Sequence, residues 1–337
     1  MKKVVLVKPG EVRVEEAAVP EPRKGEILLK VHNIGICGSD IHIFQGLLPF
    51  VRFPVVQGHE MSGEVADPNG SARLKKGDRV VIIPRTLCRE CEDCKSGRDN
   101  WCKDLKILGV HTDGVAAEYV SVPEYLALKI PDAIPYDVAA MIEPLAVTVH
   151  ACNVAGDLAG KNVLVVGAGV IGNLAAQAAK AKGARVMIAG RTQYRLDYAK
   201  AAGIDFCVND QKEDLGEALK REFGGGADVV FECIGVETSV NESFLRCRKG
   251  GIVIIAGIFG ELQRVDMFTL QDKELIVIGT MLYLKSDFEE SIALALEGKV
   301  SLPPLITGSF PLERFQDAYA HIADKANQVM KVMIKVL

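Results

Sequence analysis

The sequence predicts an α/β protein of two domains, the first rich in β-strands and the second built on a doubly wound parallel sheet. The first half is rich in glycine and in short alternating apolar segments, which indicate strands separated by turns. From Lys161 onward, apolar strand segments alternate with helical ones, as in right-handed βαβ units. A glycine-rich turn, Gly167-x-Gly169-x-x-Gly172, joins the first of these strands to the first of these helices.

The β-rich half contains five clear strand segments. They are VVLV (4–7), EILLKVHNIGI (26–36), SGEV (62–65), DRVVII (78–83) and AEYVSV (117–122). One helix is predicted to begin near Tyr136 and to continue through YDVAAMIEPLAVTVHACNVAG, because apolar residues recur there at helical spacing.

In the second half of the chain, predicted strands and predicted helices alternate regularly. Its predicted strands are KNVLVVGAG, ARVMIAG, ADVVFECIG, GGIVIIAG and ELIVIGT. Its predicted helices are VIGNLAAQAAKAKG, TQYRLDYAKAAG and SDFEESIALALEGKV, and the strand VMKVMIKVL closes the chain. Parallel strands of this kind are covered by helices on both faces of the sheet.

Composition narrows the class of partner. At 337 residues the chain is long enough for two cores, and its net charge of −4 comes without a basic block, so we expect no nucleic-acid partner. Only four apolar residues lie between Lys3 and Lys8, too few for a signal-peptide core, and the longest uncharged segment (162–179) contains glycine and polar residues. We therefore expect no membrane partner, a small-molecule substrate and a cytoplasmic location.

Four cysteines form a short polar cluster, Cys88-x2-Cys91-x2-Cys94-x7-Cys102. Four thiolates at this spacing can fill the tetrahedral shell of a structural zinc, which would give a polar loop something to fold around. Two disulfides are the alternative, which the odd total of nine cysteines disfavours. An iron–sulfur cluster is compatible with the local spacing but less favoured than zinc.

The glycine-rich turn predicts a dinucleotide site, because its glycines allow a tight turn, close approach of a pyrophosphate and close helix packing. The next predicted strand ends in Gly190, Arg191 and Thr192, where an NAD site usually has an acidic residue. Glycine leaves room and a guanidinium can pair with a 2′-phosphate, so NADP is favoured over NAD, with Arg195 as a second contact. The alternative is a solvated Arg191 and a site that takes NAD or both cofactors.

A second metal site is predicted from Cys37 in GICGSDIH, His59 and Glu60 in VVQGHEMSG, and Glu143 in MIEPLAV. Alone, a buried cysteine or histidine is most often structural. Together, one sulfur, one nitrogen and two carboxylates can form a catalytic zinc site, which keeps one position open.

At full length and in the same order, the motifs GICGSDIH, GHE, the four-cysteine cluster, IEPLAV and VLVVGAGVIG resemble those of zinc-dependent medium-chain alcohol dehydrogenases. The similarity is to the sorbitol, threonine and butanediol dehydrogenase type, with sugar-acid 5-dehydrogenases among them. It implies a GroES-like β-rich catalytic domain (1–148 and 283–337) with two zinc sites, and a Rossmann dinucleotide-binding domain (149–282).

The resemblance also implies roles for individual residues. Cys37, His59 and Glu60 are the expected catalytic-zinc ligands, and Glu143 stands at the third protein ligand's position, so which carboxylate touches the metal stays open. Ser39 would bond the substrate hydroxyl and His42 would pass its proton towards solvent; their alternatives are a turn-capping serine and a surface histidine. The expected cofactor-binding residues are Gly167, Gly169, Val170, Ile171, Gly172, Gly190, Arg191, Thr192, Arg195, Ile234, Ala256 and Ile258.

The activity implied is reversible oxidation of a secondary alcohol, with hydride passing to NAD(P). A polyol or sugar acid is the expected substrate, with butanediol or threonine as alternatives and a non-catalytic NADP-binding protein as the alternative of another class. His111 would line the substrate pocket or lie in a loop, and Arg52 would anchor a carboxylate or, as the favoured alternative, be solvated. Similar proteins imply a homodimer or homotetramer that pairs through GGIVIIAGIFG and ELIVIGT.

Overall fold

The structure is a computed structural model that describes residues 1–48 and 51–337. The chain divides into two compact units, Met1–Glu143 with Ile306–Leu337, and Pro144–Leu305. The observed boundaries differ from the predicted ones at 148/149 and 282/283, most of all because the segment 283–305 belongs to the second unit. The buried Asp287 links this segment to the rest of the second unit. One of its carboxylate oxygens lies 2.8 Å from His150 Nδ1, and the other accepts a hydrogen bond from the Asn153 side chain.

The first unit contains the five predicted strands and several short elements. They are β1 (Lys2–Lys8), β2 (Glu11–Glu16), β3 (Glu26–Gly35), α1 (Gly38–Phe44), β4 (Val55–Val56), β5 (Glu60–Asp67), β6 (Arg79–Ile82), β7 (Arg85–Thr86), α2 (Glu92–Lys95), β8 (Lys106–Ile107), β9 (Tyr119–Pro123), β10 (Ala127–Lys129) and α3 (Tyr136–Ala139), with 3-10 turns at Asp99–Trp101 and Glu124–Leu126.

The long helix predicted from Tyr136 is two helices, α3 and α4 (Ile142–Val154). Pro144 explains the break. In a continuous helix it would have no N–H for the carbonyl of Ala140 and its ring would clash with that carbonyl, whereas in the first turn of α4 the missing N–H costs nothing.

The second unit is a six-stranded parallel sheet with helices between its strands. Beyond α4 its elements are β11 (Asn162–Val166), α5 (Val170–Ala181), β12 (Arg185–Gly190), α6 (Gln193–Ala201), β13 (Phe206–Asn209), α7 (Leu215–Phe223), β14 (Ala227–Glu232), α8 (Glu237–Arg246), β15 (Cys247–Ile255), α9 (Met267–Asp272), β16 (Ile276–Gly279), α10 (Lys285–Leu296) and a 3-10 turn at Pro303–Leu305. The strand order β13-β12-β11-β14-β15-β16, with every pair parallel, is that of a doubly wound sheet.

The chain then returns to the first unit with β17 (Ile306–Pro311), a 3-10 turn at Leu312–Arg314, α11 (Phe315–Ala323) and β18 (Lys331–Lys335). The main sheet of this unit has the order β10-β6-β5-β3-β18-β17, and β9 also pairs with β3; a smaller sheet has the order β2-β1-β4. Gly35 at the end of β3 lies opposite both Glu60 of β5 and Met333 of β18. The last strand of the protein therefore lies beside the residues that the sequence predicts to bind metal.

Among the described residues, no helix has the length and apolar character needed to cross a membrane.

Candidate active site

Three of the four residues predicted for the second metal site converge in the first unit. Cys37 precedes α1, where its backbone N–H donates to the Asp40 carboxylate at 2.9 Å and so fixes the start of the helix. His59 and Glu60 come at the start of β5, and the pairing of Gly35 with Glu60 places them beside the end of β3. As a result, the sulfur of Cys37, a ring nitrogen of His59 and a carboxylate oxygen of Glu60 all lie within 4.8 Å of one another.

The surroundings of His59 are anionic and buried. Its Nδ1 atom has no hydrogen-bond partner within residues 1–48 and 51–337 and lies 3.6 Å from a carboxylate oxygen of Asp40. Burial alone would lower the pKa of His59, but Asp40 and Cys37 outweigh it, and with a further contribution from Glu143 they raise that pKa well above its usual value. Surroundings that favour a proton on this ring also favour a metal cation in its place, since metal binding releases the proton. The donor set therefore fits zinc.

Glu60 has a second partner that the sequence analysis missed. Lys331 Nζ in β18 lies 2.7 Å from each oxygen of the Glu60 carboxylate and donates to the carbonyl of Ile36 at 3.1 Å. Burial lowers the pKa of Lys331, but Glu60 and Cys37 raise it by more. A methyl group on Gly35 would overlap a Glu60 oxygen, so a larger residue there would displace this carboxylate from its contact with Lys331. The sequence held little signal for this pairing, because β18 begins with Lys331 and ends with Lys335, and only the folded sheet shows that the first is buried and the second exposed.

Asp40 is a second missed residue. It is 1% exposed, and besides Cys37 it contacts the backbone N–H of Gly58 at 3.4 Å. Its carbonyl accepts a hydrogen bond from the Gln57 side chain, whose oxygen accepts one from the Tyr319 hydroxyl in α11. An acidic residue three positions after a helix start is a recognisable capping signal, but nothing local to it reveals the contact with His59.

The other predicted catalytic residues lie close by in the chain. Ser39 and His42 are both half-buried and three positions apart on α1, which places them on one face of that helix. Glu143 is 7% exposed in the first turn of α4 and raises the pKa values of His59 and Lys331. The group within 4.8 Å consists of Cys37, His59 and Glu60, so Glu143 lies farther out.

The four-cysteine cluster also converges. The Cys88 sulfur lies 3.5 Å from that of Cys102 and 4.0 Å from that of Cys94. These separations suit the edges of a tetrahedron with metal–sulfur bonds of about 2.3 Å, and they are too long for a disulfide, whose sulfurs are about 2.05 Å apart. All nine cysteines lie in the described residues and none forms a disulfide, which rules against the two-disulfide alternative.

The thiols of this cluster differ in acidity. The Cys94 backbone N–H outweighs burial and, with that of Lys103, lowers the pKa of Cys91 to about 6, while burial and the neighbouring thiols raise that of Cys94 to about 12. The Cys94 thiol therefore stays protonated at neutral pH unless a cation compensates the negative charge of a fourth thiolate.

Two further residues weighed for substrate binding lie at the surface. His111 is exposed, and its Nδ1 atom accepts the backbone N–H of Ile107 at 3.1 Å, which gives the ring a role within its own loop. Arg52 is exposed as well, in agreement with the solvated reading.

In the second unit, a cavity of about 490 Å³ lies at the carboxyl ends of β11, β12 and β14. This is where doubly wound sheets bind their ligands. Seven predicted cofactor residues line it: Gly167, Gly169, Gly190, Arg191, Thr192, Arg195 and Ile234. Val170, Ile171, Gly172, Ala256 and Ile258 are not among its lining residues. Asp210, Thr238 and Glu242 are lining residues that the sequence analysis did not name.

Two glycines of the turn that lines the cavity, Gly167 and Gly172, leave no room for a side chain. Gly167 has φ +109°, and a methyl group there would lie 2.6 Å from a side-chain carbon of Ile234. A methyl group on Gly172 would overlap the carbonyl oxygen of Gly167, which confirms the close helix packing expected of the third glycine. Arg191 is exposed, and Arg195 donates to the Tyr194 hydroxyl at 3.1 Å.

Comparison with known proteins agrees with this architecture. Residues 23–132 match the family model of the alcohol dehydrogenase GroES-like domain, and residues 170–297 match that of the zinc-binding dehydrogenases. The chain is 36% identical to L-galactonate-5-dehydrogenase of Escherichia coli K12 over 99% of its length and 98% of the relative's. It is 35% identical to sorbitol dehydrogenase of Ovis aries, covering 98% and 95% of the two chains. A zinc-binding dehydrogenase structure from Sinorhizobium meliloti 1021, bound to NADP, superposes with a TM-score of 0.91 at 32% identity, covering 99% and 98%.

The fold and the converging thiol, imidazole and carboxylate groups define a dehydrogenase that works with a metal and a nicotinamide dinucleotide. The chain belongs to the zinc-dependent medium-chain alcohol dehydrogenase family, in its sorbitol and sugar-acid-like branch, and is an oxidoreductase. Its GroES-like and Rossmann domains are the two predicted from the resemblance.

Proposed function

We propose that this chain reversibly oxidises a secondary alcohol of a polyol or sugar acid to a ketone, with NADP favoured over NAD as hydride acceptor. The observation that carries the proposal is the convergence of Cys37, His59 and Glu60 within 4.8 Å. A thiolate, an imidazole and a carboxylate are the donors of catalytic zinc sites, which keep a position open for a reacting oxygen.

Cys37, His59 and either Glu60 or Glu143 would hold the catalytic zinc, and the four-cysteine cluster a structural one. A bound zinc supplies Lewis acidity, which lowers the pKa of a coordinated water to about 7 and acidifies an alcohol in the same sense. Zinc content separates the two carboxylates. If only Glu60→Gln loses catalytic zinc on dialysis, Glu60 is the direct ligand, and if only Glu143→Gln does, Glu143 is.

Ser39 and His42 would handle the substrate's proton. Ser39 would accept a hydrogen bond from the alcohol hydroxyl; on taking that proton it would release its own proton towards His42, which would pass it to solvent. Their shared face on α1, immediately after Cys37, supports this assignment. A histidine suits a relay because one ring nitrogen can accept a proton while the other donates one.

The cofactor preference is supported by Gly190, Arg191, Thr192 and Arg195, which line one cavity. Gly190 carries no carboxylate that would repel a 2′-phosphate, and the two guanidinium groups offer it charge-assisted hydrogen bonds. An NAD enzyme would usually have a carboxylate at the end of β12 instead.

The substrate class is supported by the relatives, which are named for L-galactonate and sorbitol. A butanediol or threonine dehydrogenase is the alternative within the family. A non-catalytic NADP-binding protein is the alternative of another class.

A spectrophotometric panel tests the proposal. Sorbitol, other polyols, L-galactonate, other sugar acids, butanediol and threonine are each assayed with NAD and with NADP. We expect turnover of a polyol or sugar acid that is abolished in Cys37→Ser and unchanged in the control Cys207→Ser. Full activity of Cys37→Ser would exclude the zinc mechanism, and turnover of butanediol or threonine alone would establish the alternative within the family.

We also propose a homodimer or homotetramer in the cytoplasm. The edge strand β16 supports pairing with a second copy, because Ile276 and Val277 are 53% and 37% exposed and an apolar unpaired edge invites strand pairing. Light scattering should give a molar mass two or four times the 36.4 kDa of one chain. Ile276→Lys should reduce this mass, and the control Val14→Lys should leave it unchanged. Nine unpaired cysteines support the reducing compartment.

A further inference from the structure

Glu232, the last residue of β14, is a fully buried carboxylate beside the dinucleotide cavity. It is 0% exposed, and the next two residues, Cys233 and Ile234, line the cavity. Carboxylates are almost never fully buried unless their charge is balanced by hydrogen bonds or a partner, so the position needs an explanation.

One oxygen of this carboxylate collects three donors. Its Oε1 atom accepts the backbone N–H groups of Ile234 at 2.8 Å and Gly235 at 2.9 Å, and the Ser239 hydroxyl at 2.6 Å. Two of these donors belong to the segment between β14 and α8, and the third to the first turn of α8. The positive end of the helix dipole lies on the same side and favours the negative charge.

The backbone of Glu232 connects the same segment to a second one. Its carbonyl accepts the N–H groups of Ala256 at 2.9 Å and Gly257 at 3.0 Å, immediately after β15. A methyl group on Gly257 would lie 2.5 Å from Glu232 Oε2, and one on Gly235 would overlap the carbonyl oxygen of Ile258. The two segments are therefore in direct backbone contact, and Glu232 is bonded to both.

This arrangement reaches the glycine-rich turn. A methyl group on Gly167 would lie 2.6 Å from Ile234 Cγ1, so the Ile234 side chain rests against the first glycine of that turn. The Cys233 N–H also donates to the carbonyl of Val166 at 2.9 Å. A displacement of the Ile234 backbone would therefore change the cavity wall directly.

We propose that Glu232 is a positioning residue for the dinucleotide: its buried carboxylate fixes the segment Cys233–Val236 against the glycine-rich turn. The inference rests on the proposed function, since it concerns the cofactor of the same reaction. Glu232 Oε2 has no hydrogen-bond partner among the described residues. An amide at this position would keep the acceptor oxygen but place an unpaired N–H2 against Gly257, so glutamine can replace the carboxylate only in part.

The test measures the Kd of NADPH and NADH by reduced-nicotinamide fluorescence, with steady-state kinetics on the best substrate. We expect Glu232→Ala to raise Kd and cofactor KM by about tenfold or more, as loss of charge-assisted hydrogen bonds predicts, with kcat at saturation within about twofold. The Kd of Glu232→Gln should lie between those of the wild type and Glu232→Ala. Ser239→Ala should show a smaller rise in Kd. If Glu232→Ala does not fold, the Kd of Ser239→Ala tests the proposal in its place.

Asp228→Ala is the matched control, because Asp228 lies at the other end of β14, where its carboxylate accepts the N–H of Asn162 at 2.8 Å. We expect it to lower Tm without changing Kd. An unchanged Kd in the Glu232 and Ser239 variants would overturn the inference, as would an equal rise in Asp228→Ala. If the wild-type chain binds neither dinucleotide, the proposed function itself fails, which is a separate outcome.

Discussion

Lys331 Nζ lies 2.7 Å from both carboxylate oxygens of Glu60, across 271 positions of the chain. The two side chains are 5% and 0% exposed. Their pairing links the last strand of the protein to the residue that follows His59, so the C-terminal segment contributes directly to the candidate metal site.

Replacing this lysine should be costly. Lys331→Met leaves the Glu60 carboxylate buried without its cation, and breaking a buried ion pair in this way costs about 3–5 kcal/mol in the free energy of unfolding. Urea denaturation measures the loss, with the exposed Lys335→Met on the same strand as control. The double variant Lys331→Met with Glu60→Gln should recover part of it. Equal stability of the two lysine variants would contradict the prediction.

The contrast between this pair and the glycine-rich turn shows what the sequence can predict. Gly167, Gly169 and Gly172 act within one strand–turn–helix unit, so their spacing together with the flanking strand and helix patterns predicts the dinucleotide cavity. Lys331 and Asp40 act through contacts made only after β18, β3 and β5 are side by side, and no local pattern specifies that order. The break at Pro144 was readable from the sequence, since proline is unfavourable in a helix interior.

Removing metal from the four-cysteine cluster should change the fluorescence of Trp101. This is the only tryptophan of the chain; it precedes Cys102 and is 59% exposed. Cys88→Ser should lower the zinc content by the one ion proposed for the cluster and alter Trp101 emission, because the loop would lose the metal around which we propose that it folds. Cys37→Ser should also lose one zinc but leave the emission unchanged. Identical emission in both variants would argue against a zinc in the cluster.

The cofactor preference should depend on two arginines. Arg191→Ala or Arg195→Ala should lower kcat/KM for NADP relative to NAD by about 10- to 100-fold, the range expected for hydrogen bonds to a charged group. Arg221→Ala, on an exposed face of α7, is the control. Introducing aspartate at Gly190 is a poor test, because a methyl group there would lie only 2.8 Å from that of Ala168. Arg191→Asp is the sharper reversal, and a ratio unaffected by either arginine would reject the preference.

Stability should depend on pH through Asp287 in the second unit. Burial would raise the pKa of Asp287, but hydrogen bonds from His150, the Leu284 N–H and Asn153 outweigh it and lower the pKa below its ordinary value of 3.8. A carboxylate whose pKa is lower in the folded state stabilises the fold above its unfolded pKa, and this contribution is lost as the pH falls through the folded pKa.

Asp287→Asn should therefore lower the free energy of unfolding by about 1–3 kcal/mol at pH 7, the cost of unsatisfied buried groups. The difference from wild type should stay constant down to about pH 5 and shrink below it, as protons bind the wild-type carboxylate. Urea denaturation at a series of pH values measures this, with Asp132→Asn as control because that side chain is 95% exposed. A difference that persists unchanged at the lowest pH would mean that Asp287 stabilises the fold by packing and not by its charge.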